Sequence, residues 1–259
     1  MCLSEVHSMV SGGSCVKIGA VADVHQGPLD VRKWLRKFVE DMNSDFSPDI
    51  VVELGDFIGC KKPEALKALK EINEVYSQCK APRYYVFGNH DLDAFTREEY
   101  TSIIGINYWW KSIDVKFLHI IFLDAAWGPN TNSGGPTGHI PSQELDWLQE
   151  DLEKVPRNKP IVVFCHYPIA IFCNEPRIDN EDELLELFKD YRLVATFSGD
   201  AHYGGYREEN GTHHICLHSM GWWELDKITG SYARITVTPN KIVVEGRGAQ
   251  PSYILKIKR

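Results

Sequence analysis

Apolar positions along the chain follow two spacings in turn. Val16-Lys17-Ile18-Gly19-Ala20-Val21-Ala22 is a short, nearly unbroken apolar run that stops at Asp23-Val24-His25, the signature of a buried strand delivering polar groups at its end. From Asp30 to Met42 the apolar residues Val31, Trp34, Leu35, Phe38, Val39 and Met42 recur at three and four, which predicts an amphipathic helix with Asp30 as its N-cap. The alternation repeats. Ile50-Val51-Val52-Glu53-Leu54 reads as a strand ending in Gly55-Asp56, Pro63 to Cys79 as a helix with proline in its first turn, and Arg83 to Phe87 as a strand ending in Gly88-Asn89-His90-Asp91. Strand, helix, strand, helix, strand predicts an α/β fold with parallel pairing and all three polar tips on one carboxyl edge.

Beyond this, Phe95 to Ile104 reads as a short helix, and Tyr108 to Ile113 with Lys116 to Leu123 as two strands joined by a tight turn. Asp124 to Gly138, rich in Gly, Pro and Asn, is the longest unpatterned stretch and is expected to cover a substrate. Ser142-Gln143-Glu144 opens a helix that runs to about Val155. Ile161 to Cys165 is a buried strand ending in His166-Tyr167-Pro168, Glu181 to Lys189 a helix, and Leu193 to Phe197 a strand ending in Gly199-Asp200-Ala201-His202. The remaining short segments, His213 to Leu217, Ser231 to Val237 and Lys241 to Val244, are expected to form a second sheet packed on the first.

Composition narrows the classes. With 259 residues and 43% hydrophobic content, the chain is expected to form one domain over residues 15–259 behind a flexible N-terminus, residues 1–14. A net charge of −8 opposes broad binding to nucleic acid or to an anionic membrane, so a small anionic substrate needs cations in its site. Seven cysteines without a Cys-x-x-Cys pair predict reduced thiols in a cytoplasmic protein, with no disulfide framework or zinc ribbon. No long apolar run, signal or obligate protein partner is evident.

The strand tips supply Asp23, His25, Asp56, Asn89, His90, His166, Asp200 and His202. A lone Asp after a strand is ordinarily a turn or cap residue, and a lone His such as His119 or His139 ordinarily surface or satisfied core. Recurrence at five successive strand ends is a different matter. Mixed carboxylate, imidazole and amide donors without cysteine suit hard or borderline divalent ions, Mn²⁺, Fe²⁺, Mg²⁺ or Zn²⁺, and they are numerous enough for two ions clamping a phosphoryl group. A Cys165-His166 hydrolase is disfavoured because strand neighbours point to opposite faces, and the chain has no Gly-x-Ser-x-Gly, phosphate-loop or dinucleotide motif.

Taken together, Asp23-x-His25, Gly55-Asp56, Gly88-Asn89-His90-Asp91, His166 and Gly199-Asp200-Ala201-His202 resemble the motif series of the calcineurin-like metallophosphoesterases. That resemblance implies a four-layer αββα sandwich of mixed sheets. It also implies a dinuclear centre in which Asp23, His25 and His202 hold one ion, Asp56 bridges, and Asn89 and His166 hold the other. His90 would then contact the phosphate and protonate the leaving group, with Asp91 orienting it. Asp200 stands where the family has the first His of Gly-His-x-His. A carboxylate there can bind after a backbone shift, bind through water, or leave the second ion unheld; its charge favours Mn²⁺, Mg²⁺ or Fe.

Gly134-Gly135 ahead of Gln143 to Leu148, Gly204-Gly205-Tyr206 and Gly246-Arg247-Gly248 resemble the manganese-dependent ADP-ribose/CDP-alcohol diphosphatase branch, although that branch commonly has Gln where His25 stands. The resemblance implies hydrolysis of a phosphoanhydride or phosphodiester in a nucleotide-like small molecule. Phosphomonoesterase or cyclic-nucleotide phosphodiesterase activity, and a weakly active metal-binding scaffold, are the alternatives. Gln26 to Asp30 and Asp124 to Gly138 are expected to set specificity.

Overall fold

The computed structural model describes residues 15–127, 137–169, 178–222 and 227–258. The expected flexible terminus and most of the expected cover, residues 128–136, lie outside them.

The first half alternates as its spacing predicts: β1 (Val16–Val21), α1 (Arg32–Asp41), β2 (Ile50–Glu53), α2 (Glu64–Tyr76) and β3 (Arg83–Tyr85). Both strand steps are parallel. α1 continues into a π-helical turn, Met42–Phe46. It packs so closely on β1 that a Cβ on Gly19 would overlap the Met42 sulfur, which is why glycine interrupts that apolar strand. Asp30 lies one residue ahead of the cap position, which Val31 occupies, and accepts the Arg32 amide at 3.2 Å.

A short helix, α3 (Asn89–Ala94), follows β3 directly, and α4 (Arg97–Ile104) starts from Thr96, whose hydroxyl accepts the Glu99 amide. The next elements are β4 (Lys111–Val115), β5 (Leu118–Leu123), α5 (Ser142–Leu152), β6 (Pro160–Cys165), α6 (Glu181–Phe188), β7 (Arg192–Ser198), β8 (Tyr203–Glu209) and β9 (Thr212–His218). β10 (Gly221–Trp222) and β11 (Lys227–Ile228) form a two-residue ribbon ahead of β12 (Tyr232–Val237), β13 (Lys241–Arg247) and β14 (Tyr253–Lys256).

One expectation about the sheets is corrected. The second sheet is built from the middle of the chain, in the order β4-β5-β6-β7-β9-β8. The C-terminal strands complete the first sheet instead, in the order β14-β13-β12-β1-β2-β3, with β12 antiparallel to β1 from Val16↔Val237 to Ala20↔Ala233. Antiparallel hairpins β12-β13 and β13-β14 fold back at an open edge beside β1 without a crossover helix.

Both faces of each sheet are buried, and residue parity assigns them. Ile18, Ala20, Val52, Phe122, Val162, Phe164, Phe197 and Ile235 form one apolar cluster between the sheets. Val21, Val51, Ile121, Val163 and Cys165, of opposite parity, belong to the cluster containing Leu35, Phe38, Leu69, Leu148 and Leu184 of the helices. The layers are therefore α, β, β, α. Tyr84 of the first sheet stacks on Phe122 of the second at 4.7 Å, and Phe164 and Phe197 continue the stack at 5.7 and 5.4 Å. Each fully buried aromatic of this kind contributes roughly 1.5–3 kcal/mol. Among the described residues no helix is long and apolar enough to cross a membrane.

Candidate metal centre

The carboxyl ends of β1, β2, β3, β6 and β7 meet where the two sheets abut. Asp200 donates its backbone N–H to both Asp23 oxygens at 3.1 and 3.2 Å, and His166 reaches the backbone oxygen of Leu54. These contacts tie one sheet's edge to the other.

Extended chain would place Asp23 and His25 side by side, but the mechanism is different. β1 ends at Val21, and Asp23 and His25 both have left-handed backbones, with φ of 51° and 53°. Asp56 (56°) and Asp200 (64°) share this conformation. Four such residues at roughly 1–3 kcal/mol of strain each persist because the loops fix them: the amides of Asp23 and His25 donate to the carbonyls of Gly55 and Asp56 at 3.1 and 2.9 Å. Gly88 has φ −100°, a backbone open to any residue. Glycine is required there for close approach, since a Cβ would overlap the Asp56 backbone nitrogen and Oδ1.

Two donor groups share Asp56. In the first, one ligand atom each from Asp23, His25, Asp56 and His202 lie within 4.8 Å of one another. His25 Nε2 is 3.0 Å from His202 Nε2 and 3.8 Å from Asp56 Oδ2, and His202 Nε2 is 3.8 Å from Asp23 Oδ1. In the second, His166 Nε2 lies 3.3 Å from Asn89 Oδ1, 3.5 Å from Asp56 Oδ2 and 3.7 Å from Asp200 Oδ1. His166 Nδ1 donates to the Leu54 oxygen at 2.8 Å, which leaves Nε2 as the free donor atom toward Asn89 and the carboxylates.

Asp23, His25, Asp56 and His166 are buried, and the ion-pair partners of Asp23, Asp56 and Asp200 among the described residues are imidazoles. Burial pushes Asp23 upward, with Asp56 and Asp200 adding to the push and His166 opposing it. Burial would also raise Asp56, but the imidazoles of His166, His90 and His25 prevail and hold it below the usual carboxylate range. Burial lowers His25 to about 3, so its imidazole is neutral and able to donate a lone pair. Burial also opposes charge on His166, but Asp56, Asp23 and Asp200 outweigh it and raise that imidazole. Buried carboxylates and imidazole nitrogens converging, among the described residues, without an ammonium or guanidinium suit divalent cations. Arg97, which opens α4, is committed to Asp124 at 2.6 Å and to the Ala126 oxygen at 2.8 Å.

His90 stands at the mouth, its side chain 26% exposed while those of His25 and His166 are fully covered. Its amide donates to Asp56 Oδ1 at 2.8 Å, and its ring meets that of His25 edge-on at 5.1 Å. Asp91 accepts four backbone amides: those of Asp56 and Gly88 at 3.0 and 3.1 Å, and those of Phe57 and Ile58 at 3.1 and 3.3 Å. Its carboxylate is thus a clasp between the β2 and β3 loops.

Two features escaped the sequence reading. Trp222 packs edge-on to His202 at 5.5 Å, with Tyr203, 42% exposed, at 6.0 Å from it; the Gly-Trp-Trp run was the available signal. Glu53 is buried beneath the site with both oxygens lacking a hydrogen-bond partner, and burial holds it well above the usual carboxylate range. It was legible as a carboxylate inside an apolar strand. His213 pairs with the Tyr206 hydroxyl and the Lys256 oxygen, and His214 with Thr196, so both are satisfied parts of the sheet.

A family model described as calcineurin-like phosphoesterase matches residues 16–204. A manganese-dependent ADP-ribose/CDP-alcohol diphosphatase of Homo sapiens is 23% identical over 87% of this chain and 83% of its own length. A glycerophosphodiester phosphodiesterase of Enterobacter lignolyticus is 26% identical over 72% of this chain and 65% of its own. Among solved structures, a dimetal phosphatase from Danio rerio superposes with a TM-score of 0.79 at 17% identity, covering 95% of this chain and all of that one. It shares the fold.

Proposed function

Because the chain belongs to the calcineurin-like phosphoesterase family, we propose that it hydrolyses a phosphoanhydride or phosphodiester bond in a nucleotide-like small molecule of the ADP-ribose or CDP-alcohol class. Two divalent ions, Mn²⁺ foremost, serve as cofactors. The observation that carries this reading is the pair of donor groups sharing Asp56, with His90 at their open side. Asp23, His25 and His202 hold one ion, and Asn89, His166 and Asp200 hold the other. When bound, the ions neutralise phosphate charge and supply Lewis acidity and an activated water.

The chain's own residues do the rest. His90 donates a proton to the leaving-group oxygen, the task suited to the most exposed imidazole of the centre. Asp91 positions it through the backbone, since its four amide contacts fix the loop that carries His90 against the loop that carries Asp56. Trp222 and Tyr203, their rings inclined at 42°, offer aromatic faces beside His202, one of which suits stacking a nucleobase. Five unpaired cysteines among the described residues support a reducing, cytoplasmic setting.

Mn²⁺-loaded protein is expected to turn over ADP-ribose and CDP-choline faster than a cyclic nucleotide or a glycerophosphodiester. His90→Ala should lower kcat about 10²- to 10³-fold with metal content retained. Trp222→Ala should raise KM about tenfold for the nucleotides and leave the glycerophosphodiester unaffected. No turnover of any of the four by protein carrying two ions would sink the reading.

A further inference from the structure

The donor groups are short of positive charge for the substrate class proposed above. The carboxylates of Asp23, Asp56 and Asp200 cancel three of the four positive charges that two divalent ions bring, leaving about one. A nucleotide-like phosphoanhydride carries an anionic oxygen on each of two phosphates. One phosphate is met at the donor groups and the other needs a cation of the chain. Arg97 is already taken by Asp124 and the Ala126 oxygen.

Lys227 stands on the flank that carries Trp222. The β10-β11 ribbon pairs Trp222 with Lys227, and directly opposed residues of an antiparallel pair project from the same face. On that face Trp222 meets the His202 ring at 5.5 Å, so Lys227 shares the side of the ribbon turned toward the donor groups. Both ends of the ribbon are anchored. The amides of Met220 and Gly221 donate to the carbonyls of Ala22 and Asp23 at 3.1 Å each, and those of Thr229 and Gly230 donate to the Met220 carbonyl at 3.0 and 3.2 Å. The loop of Asp23 thus fixes where Lys227 leaves the backbone.

We propose that Lys227 is a specificity-determining residue that binds the phosphate not under attack, so that the site selects diphosphates over diesters with a single phosphate. Lys227 is exposed and forms no hydrogen bond or ion pair among the described residues. Other cations of the C-terminal strands are paired: Arg207 with Glu209, Arg247 with Glu245 and Lys258 with Glu208. His218, opposite Tyr203 in the β8-β9 register, is pushed below its ordinary value by burial first and by Lys227 second. It is therefore neutral near pH 7 and adds no charge of its own beside the ammonium. One flank of the centre so combines aromatic faces for a base with an uncommitted ammonium for a phosphate. The assignment rests on the hydrolysis reading given under Proposed function and says how that substrate class is recognised.

Metal-loaded full-length protein and its Lys227→Ala, Lys227→Glu and Lys227→Arg variants test this by turnover and by binding. The ratio of kcat/KM for ADP-ribose to kcat/KM for glycerophosphocholine should fall about tenfold in Lys227→Ala, mostly through KM, fall further in Lys227→Glu and recover in Lys227→Arg. Calorimetry with α,β-methylene-ADP, whose bridging carbon resists hydrolysis, should show affinity about tenfold weaker in Lys227→Ala with metal content unchanged. A ratio unchanged in Lys227→Ala, an equal loss on both substrates, or an unchanged affinity for the analogue overturns the assignment. Weakened analogue binding in a protein that hydrolyses neither substrate would sink only the phosphohydrolase reading, and good hydrolysis with an unchanged ratio only this one.

Discussion

An imidazole stands between two carboxylates at two places in the second sheet, and the two arrangements do opposite things. His119, on β5, donates to Asp114 at 2.8 Å and to Asp151 at 2.9 Å. His166, just past β6, faces Asp56 at 3.5 Å and Asp200 at 3.7 Å. At hydrogen-bond distance the charges satisfy one another and link the C-terminal part of α5 to the β4-β5 hairpin. At the wider spacing, the carboxylates and Nε2 surround a common point that a cation can occupy. The same residue types make a structural tie on regular strand and helix backbone, and a ligand set where the two carboxylates stand on left-handed loop backbone. Spacing and backbone, rather than composition, separate the two.

Substitution should therefore split activity from stability. Asp23→Asn is expected to lower kcat/KM by on the order of 10³ while leaving the melting temperature of the metal-free protein unchanged or higher, because burial and the neighbouring carboxylates disfavour the Asp23 charge. Asp151→Asn should do the reverse, costing about 1–2 kcal/mol of stability with activity intact. Equal losses in both readouts for both variants would erase the distinction.

Chelation should reach only one of the two places. Saturating each ion at 100 times its dissociation constant adds about 2.7 kcal/mol, or roughly 5–10 °C in Tm for a chain of this size. Thermal scans with and without chelator should show this loss in the parent protein and in His119→Gln, and a much smaller one in Asp56→Asn. A full shift in Asp56→Asn would place the bound ions elsewhere.

The smallest effect is a pH dependence at His119. Burial opposes its charge, but the hydrogen bonds to Asp151 and Asp114 prevail and raise it above its ordinary value. Its contribution is complete below the unfolded pKa of about 6.5 and is lost as pH rises through the folded value. Asp114 and Asp151 are held below the usual range by Lys159 and His119, and by His119 and Ser112, against the opposing effect of burial. Their contribution is present above about pH 4 and lost as pH falls further. Urea titrations should find His119→Gln less stable by about 1 kcal/mol near pH 5.5, with the gap shrinking above pH 7. A constant gap across that range would refute the tie.

The sequence made the strand tips legible because each apolar run stops abruptly at a polar pair, and the periodicity of α1 and α2 fixes which strands are parallel. The resemblance of the Gly88-Asn89-His90-Asp91 stretch pointed to the chemistry. Geometry at the tips was not legible. The left-handed backbones of Asp23 and His25 and the overlap that forces glycine at position 88 both depend on the neighbouring loop, residues 55–58, which no local pattern encodes. Asp91 could be assigned to its neighbour His90 by proximity in sequence, but three of its four amide partners lie 33 to 35 residues away. β8 escaped because its glycines and exposed polar residues mask the strand pattern. β14 escaped because it is an edge strand of four residues, partly exposed.

The family match stops at residue 204, yet the backbone of Asp23 is held by segments C-terminal to that point. The amides of Met220 and Gly221 donate to the carbonyls of Ala22 and Asp23 at 3.1 Å each, and β12 pairs along the whole of β1 apart from its last residue. A ribosome would release the ligand residues long before the segment that braces the first of them. The first donor group is thus braced in full only once the C-terminal strands have joined the first sheet.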